Sequence, residues 1–348
     1  MKDAARLQQT MPATGTNMLT HSVRDGLPRE TQPTRATASM EQISPPWLVE
    51  LEATEEEYWP RIFCIGVPKS ASTSLFEVLR KHPNMCAGQV MRGAEIWWRA
   101  KEPEFFSDTQ RFRRGKDFYL GYYRRSRKCQ QLKARNQTFA FIDGSTQYSV
   151  NMEAPKRIFE TIPQKLHKDL KFVLVLREPT ERQRSWYLHL RELYPIYQRQ
   201  NVSFDRYAKH GLKMLSLSKW QDLQDGFYDT LLMNWFKYFS RTQILTLSFD
   251  YITTHTADAL HRIHRFLDLG IAYNQTVQGT MSKRHSDSNT STGHGEISKM
   301  SNELCQKLHS IYHPHSLQLY KLLQEEGFPE EQPAFPPFRI PCRWNETI

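Results

Sequence analysis

The stretch Arg61-Ile-Phe-Cys-Ile-Gly-Val67, running directly into Pro68-Lys69-Ser70-Ala71-Ser72-Thr73-Ser74-Leu75, decides how the rest of the chain is read. Its first half is short, apolar and rich in β-formers, which predicts a buried strand. Leu75, Val78 and Leu79 then share one helical face, which predicts a helix over 72–81 that Pro83 ends. Between strand and helix lie small residues that let the backbone curl close to an anion. Unpaired amides at the helix N-terminus, the point charge of Lys69 and the hydroxyls would together make a phosphate cradle. It is not the ATP/GTP type, GxxxxGK(S/T), because here the lysine comes early and no metal-holding GK(S/T) follows. Viewed alone, a Ser/Thr-rich turn capping an ordinary helix has the same composition.

The apolar strand pattern recurs at Phe139-Ala-Phe-Ile142, Lys171-Phe-Val-Leu-Val-Leu176 and Ile244-Leu-Thr-Leu-Ser-Phe249. Helices are expected over 154–162, from the residues after Arg177 to Leu193, over 228–239, around Leu260, Ile263 and Leu267 up to Gly270, and over 301–325. Strands separated by helices and apolar on both faces specify an α/β fold, a single domain with a central parallel β-sheet flanked by helices. Ligands of such sheets bind beyond the carboxyl ends of the strands, so the chemistry is sought just after Val67, Ile142 and Leu176. Residues 1–45 are rich in Thr, Ser, Gln and Pro without apolar periodicity, which predicts a disordered N-terminal arm. The folded domain is expected over 46–340, with 341–348 as a C-terminal tail.

A net charge of +10 over 348 residues implies an anionic partner without naming it. No pair of the five cysteines has CxxC spacing, and the odd count leaves at least one thiol free unless a second chain pairs with it. No stretch approaches the ~18–20 apolar residues that cross a bilayer. The first 45 residues carry neither a signal-peptide core nor an anchor. Five of the ten asparagines, Asn136, Asn201, Asn274, Asn289 and Asn345, open N-x-(S/T) sequons, which leans toward the secretory pathway.

Leu176-Arg177-Glu178-Pro179-Thr180-Glu181-Arg182 closes the clearest strand and continues through Ser185 and Tyr187. Arg177 leaves the strand toward the crevice and Ser185 follows two turns into the helix, so a guanidinium fork and a hydroxyl can hold a phosphate. Arginine and proline at a strand–helix junction also occur for structural reasons alone. Both segments in this order resemble the PAPS-dependent sulfotransferases, closest to the Golgi carbohydrate enzymes of the chondroitin and heparan type. The first matches that family's 5′-phosphosulfate loop, P-K-(S/T)-G-(S/T)-T-(S/T)-L, at every position but Ala71, where the family has glycine. Alanine there is strained if the position needs positive φ. The second is similar to the 3′-phosphate motif R-(D/E)-P-x-x-R-x-x-S-x-Y.

The resemblance runs from about Arg61 to Leu323 and implies a P-loop nucleotide-kinase-like fold. It implies the donor PAPS (3′-phosphoadenosine-5′-phosphosulfate) and no metal. Lys69, Ser70, Ala71, Ser72, Thr73 and Ser74 would hold the donor's 5′ end, and Arg177 and Ser185 its 3′-phosphate. Gly226-Phe-Tyr228 with Trp235 and Phe239 is similar to the family's block before the last strand. Ser282-Lys283-Arg284-His285 stands in place of a basic loop over the nucleotide, which makes Lys283 and Arg284 donor-binding candidates, a solvated turn being the plain alternative. If the protein is lumenal, Cys305 and Cys342 are candidates for pairing.

Lys101-Glu102-Pro103-Glu104-Phe105-Phe106 resembles the subfamily's K-E-x-x-(F/W)-(F/W) segment, which makes Glu102 the candidate general base and Lys69 its catalytic partner on the departing phosphate. A surface carboxylate at a charged helix end is the bland account. His189 is a rival base, since cytosolic sulfotransferases use histidine, though not at this place. The His261/His264 and His313/His315 pairs lack a carboxylate or cysteine at ligand spacing and are expected on helix surfaces or loops, not in metal sites.

Between Arg111 and Arg135 lie ten basic residues opposed only by Asp117, with Tyr119, Tyr122 and Tyr123 interleaved. Arg124, Arg125 and Arg127 are therefore candidate binders of a polyanionic acceptor such as a glycosaminoglycan, against the plain reading of a solvated basic helix. No nucleic-acid module accompanies the run. The expected function is sulfuryl transfer from PAPS to a carbohydrate hydroxyl. A small alcohol, phenol or alkaloid acceptor, or a non-catalytic polyanion- or nucleotide-binding relative, are the alternatives. The expected location is the Golgi lumen, or alternatively the cytoplasm, with membrane association only through a segment not evident in the sequence.

Overall fold

The computed structural model describes residues 55–89, 100–215, 221–269 and 297–342, within the compact unit Glu52–Ile348. The expected N-terminal arm, Lys283, Arg284 and most of the expected tail lie outside the described residues.

Five strands form one parallel sheet: β1 (Ile62–Gly66), β2 (Met85–Ala87), β3 (Ala140–Asp143), β4 (Lys171–Leu176) and β5 (Ile244–Ser248), in the order β2-β3-β1-β4-β5. Ile62 pairs with Ile142 on one side and Lys171 on the other, and Phe172 of β4 pairs with Ile244. The central strand β1 is buried at every position, because helices cover both faces, which is why its sequence is apolar without alternation. β2 has three residues, too few for a periodic signal, and was not expected.

The two faces carry separate cores. Phe63, Ile65, Phe172 and Leu174 point to the side covered by α2 (Lys116–Arg124), α4 (Ala154–Thr161) and α7 (Tyr228–Trp235). Ile62, Cys64, Val173 and Val175 point to the side covered by α1 (Ser72–Leu79), α8 (Phe249–Thr254) and α9 (Thr256–Phe266). The alternation of facing along β1 and β4 follows from the two-residue period of a strand. A third cluster, away from the sheet, locks α5 (Pro179–Leu193) and α6 (Phe204–Leu215) to α10 (Asn302–Gln324) through Tyr187, Phe204, Leu308 and Tyr312. The basic run spans three helices, the short Thr109–Phe112, α2 and α3 (Arg127–Ala134).

At the end of β1 the chain makes its closest approach. Gly66 has φ 123°, and a Cβ there would stand 2.4 Å from the Thr146 carbonyl oxygen and 2.5 Å from Ser149 Oγ. Only glycine lets the segment after β3 pass this close to the end of β1. Cys86–Cys129 ties β2 to α3, and Cys305–Cys342 fastens the C-terminal segment to α10. Cys64, buried in β1, stays free. The second bridge is the pairing considered for a lumenal protein, and the first left no sequence signal. Closing loops of 43 and 37 residues is worth ~3–4 kcal/mol each against the unfolded chain in the entropic account.

Candidate active site

Two residues of the loop between β1 and α1 are left-handed: Lys69 at φ 72° and Ala71 at φ 62°. The position occupied by Ala71 does require positive φ, at a cost of roughly 1–2 kcal/mol for alanine. Ala71 is the N-cap of α1 and gives no side-chain cap, so the amides of the first turn keep their donor capacity for a ligand. Ser70 Oγ is buried and has no hydrogen-bond partner among the described residues. Uncapped amides, an orphaned hydroxyl and a half-buried lysine fit a phosphate group. Burial pulls the Lys69 pKa below its ordinary value; Glu192 opposes this, and Arg177, Glu102 and Lys101 also act on it.

Arg177 leaves β4 into the same space. Its guanidinium donates to the Lys69 carbonyl at 3.2 Å, stands 3.7 Å from Glu181 and lies 4.6 Å over the Phe249 ring. The Tyr228 hydroxyl donates to the Arg177 carbonyl at 2.8 Å. The two motifs, far apart in sequence, are thus joined by a direct bond across adjacent strands. Glu178 caps α5 by accepting from the Glu181 amide at 2.7 Å, and burial pushes its pKa up to about 7. Arg182 is fully buried, donates to the Asp222 carbonyl at 2.8 Å and faces Asp225 at 4.0 Å. That second arginine of the motif therefore holds the fold.

Glu181, Ser185, His189 and Glu192 fall on one face of α5 by helical spacing. Glu181 touches Arg177, while Glu192 and His189 interact electrostatically with Lys69. Ser185 lies between them. Burial, and then Lys69, lowers the His189 pKa, and its Nδ1 stands 3.9 Å from Glu192. A neutral imidazole beside Lys69 keeps His189 a chemically sound second base.

The segment carrying Glu102 is clamped to the end of β3. The Gly144 amide donates to the Lys101 carbonyl at 3.0 Å, and the Glu104 amide to Ser145 Oγ at 2.9 Å. Phe105 and Phe106 are fully buried against Tyr119 and Tyr148. Those tyrosines donate to the buried Asp143 carboxylate at 2.7 and 3.0 Å. The Lys101 ammonium reaches Thr73 Oγ1 at 3.1 Å and pairs with the Glu102 carboxylate. Lys101 thus brings Glu102 to the loop between β1 and α1. Lys101, Asp143 and Phe249 were not read as site residues, although Lys101 stood inside the quoted motif.

The three arginines expected to bind the acceptor stand apart. Arg124 pairs with Asp117 at 3.1 Å and lies over the Tyr58 ring. Arg125 folds back to the carbonyl of Gly121 in its own helix. Arg127 is exposed. Beside them Lys128 donates to the His82 and Met85 carbonyls, and Cys129 is bonded to β2. This stretch thus sits over the edge strand, two strands away from β1. Lys116 and Lys133 pair with Glu55 and Glu57, so part of the run is occupied by structure.

Two histidine expectations change. His264 is buried, 5.8 Å from the His82 ring, and burial takes its pKa down to about 4. His315 does have a carboxylate partner, Asp229 at 2.9 Å, brought to it by the packing of α7 on α10.

Comparison with known proteins gives consistent findings. The sulfotransferase domain family matches residues 60–316. Bifunctional heparan sulfate N-deacetylase/N-sulfotransferase 4 of Mus musculus is 24% identical over 294 residues, 78% of this chain and 31% of that protein. Heparan sulfate glucosamine 3-O-sulfotransferase 5 of Mus musculus is 25% identical, over 60% of this chain and 54% of that protein. Heparan sulfate glucosamine 3-O-sulfotransferase 3B1 of Homo sapiens is 27% identical, over 76% and 63%. The chain thus spans less than two thirds of these curated relatives. A sulfotransferase from Alicyclobacillus acidocaldarius, known from its crystal structure, superimposes with a TM-score of 0.54 at 18% identity, covering 77% of this chain and 97% of that one. At that identity the likeness establishes the fold.

Proposed function

This chain belongs to the sulfotransferase domain family, and from that premise we propose that it moves a sulfuryl group from PAPS to a hydroxyl of a polyanionic glycan. The observation that carries the reading is the meeting of Lys69, Arg177 and the Lys101–Glu102 pair at the carboxyl ends of adjacent central strands. Arg177 and Ser185 would hold the 3′-phosphate that separates this donor from simpler adenine nucleotides. Lys69, Ser70 and the amides around Ala71, Ser72, Thr73 and Ser74 would hold its 5′ end. When bound, the donor supplies an activated sulfuryl group. Glu102 takes the proton of the acceptor hydroxyl as its oxygen bonds to sulfur. Lys69 neutralises the charge left on the departing phosphate oxygen.

The glycan acceptor is supported by the similarity to heparan sulfate sulfotransferases and by the net charge of +10. Two disulfides and the exposed sequon residues Asn136 and Asn201 support an oxidising secretory lumen, the Golgi being the compartment that suits this chemistry. Turnover of labelled PAPS on a panel of desulfated polysaccharides, small alcohols and phenols tests the reading. Transfer to a polysaccharide and to no small alcohol is the expected result. Transfer only to small acceptors overturns the glycan, and PAPS binding without transfer to anything overturns the enzyme.

A further inference from the structure

We infer that Lys101 is a positioning residue of the reaction, holding the Glu102 carboxylate aimed from a fixed point on the donor loop. The inference rests on Glu102 being the base. Lys101 is 7% exposed, unusual for a lysine, which buries only when paired. Its ammonium has two partners, the Thr73 hydroxyl at the start of α1 and the Glu102 carboxylate. One cation therefore touches both the donor cradle and the base, and no other described side chain is given both contacts.

The surroundings are shaped for this arrangement. A Cβ on Gly144 would stand 3.1 Å from Lys101 Cγ and 2.6 Å from the Phe76 ring, so a bare backbone at 144 leaves the channel through which the lysine stem passes. The Lys101 carbonyl is held by the Gly144 amide, and Arg111 donates to the carbonyl of Pro103. The backbone of the segment is pinned on both sides of Glu102, which leaves the side-chain direction to the ammonium. A buried pair of this kind is weak evidence for stability, because desolvation offsets the attraction. An orienting role explains its presence better.

The charged and titratable groups around Glu102 are Lys101 from its own segment, Lys69 from the donor loop and His189 from α5. Below the segment lies Asp143 with Tyr119 and Tyr148. Taking away the ammonium frees the Glu102 side chain to turn from the acceptor, so the loss should fall on kcat more than on donor binding. The acceptor proton goes to Glu102.

The test compares Lys101→Met, Lys101→Arg and Glu102→Gln in the full chain, reading kcat, KM, PAP affinity and Tm. Glu102→Gln should lower kcat by roughly 10²-fold or more. Lys101→Met should lower kcat by about 10- to 100-fold, with PAP affinity within about threefold. Lys101→Arg keeps the charge and the contacts, and should restore part of kcat. It also decides the matter if the methionine variant folds poorly. An inactive Glu102→Gln beside a Lys101→Met with unchanged kcat overturns the positioning role alone. Loss of PAP affinity equal to the loss of kcat, or a Lys101→Arg that is folded and as slow as Lys101→Met, overturns it too. Full turnover by Glu102→Gln instead sinks the base assignment and passes the role to His189.

Discussion

Around Lys69 and Arg177 the working groups hang directly from β1 and β4, strands buried on both faces and hydrogen-bonded on both sides. Around Glu102 and the arginines of α2 and α3 the chain leans instead on the short edge strand β2, on a clamped loop and on a disulfide. The first half of the crevice has little freedom, since moving Arg177 means moving the sheet. The second half can be altered residue by residue without disturbing a core strand. A donor common to many enzymes suits the rigid half, and acceptors that differ from enzyme to enzyme suit the adjustable one.

The largest effect that would sharpen this contrast is expected at Arg177. Removing a charged hydrogen-bonding partner should weaken PAP binding by about 1.5–3 kcal/mol, roughly 10- to 150-fold. Because Arg177 also holds the Lys69 carbonyl, adenosine 5′-phosphosulfate, which lacks the 3′-phosphate, should lose on the order of 1 kcal/mol through the loosened loop. Calorimetric titration of Arg177→Ala with both nucleotides separates the two contributions. Equal losses would mean that Arg177 only supports the loop and that the 3′-phosphate is held elsewhere.

The same contrast explains what the sequence disclosed. β1, β4 and β5 were legible because strands buried on both faces leave unbroken apolar runs, and the donor loop because its chemistry is local and contiguous. Ala71 was legible even as a departure, since its backbone conformation follows from the turn it must make. Lys101 was not, because a lysine next to a glutamate reads as a surface pair until Gly144 and Thr73 are brought beside it from elsewhere in the chain. Asp143 was hidden for the same reason. Its partners Tyr119 and Tyr148 come from opposite sides of β3 in sequence. The basic run was legible only in part. Charge counts along a chain do not show that Lys116, Lys128 and Lys133 are spent on Glu55, on carbonyls and on Glu57.

A smaller effect is expected on the acceptor side. Neutralising Arg124, Arg125 and Arg127 together should raise KM for a polyanionic acceptor by roughly 5- to 10-fold, each exposed charge being worth ~0.2–1 kcal/mol. The salt dependence of KM should flatten as well. An uncharged small acceptor should show no change, and PAP affinity should stay at the wild-type value. Steady-state kinetics at two ionic strengths reads all three. Equal effects on charged and neutral acceptors would make the run a structural face over β2 and remove it from acceptor binding.

The smallest effect belongs to Ala71, and its sign depends on two opposing contributions. Glycine would relieve left-handed strain of about 1–2 kcal/mol in the folded loop. It would also add backbone freedom to the unfolded chain, costing ~0.4–1 kcal/mol. The net gain is therefore between about 0 and 1.6 kcal/mol, at most roughly 3 °C in Tm for a domain of this size. Donor affinity should follow a different rule. A loop anchored between β1 and α1 should keep the φ of 62° at Ala71 when the donor binds, so the strain cancels in the affinity. Ala71→Gly should thus raise Tm slightly while PAP affinity stays within about twofold, as read by thermal unfolding and titration of the same sample. A tenfold gain in affinity would show that the loop must rearrange on binding. The rigid half of the crevice would then be less preorganised than its attachment to β1 and β4 implies.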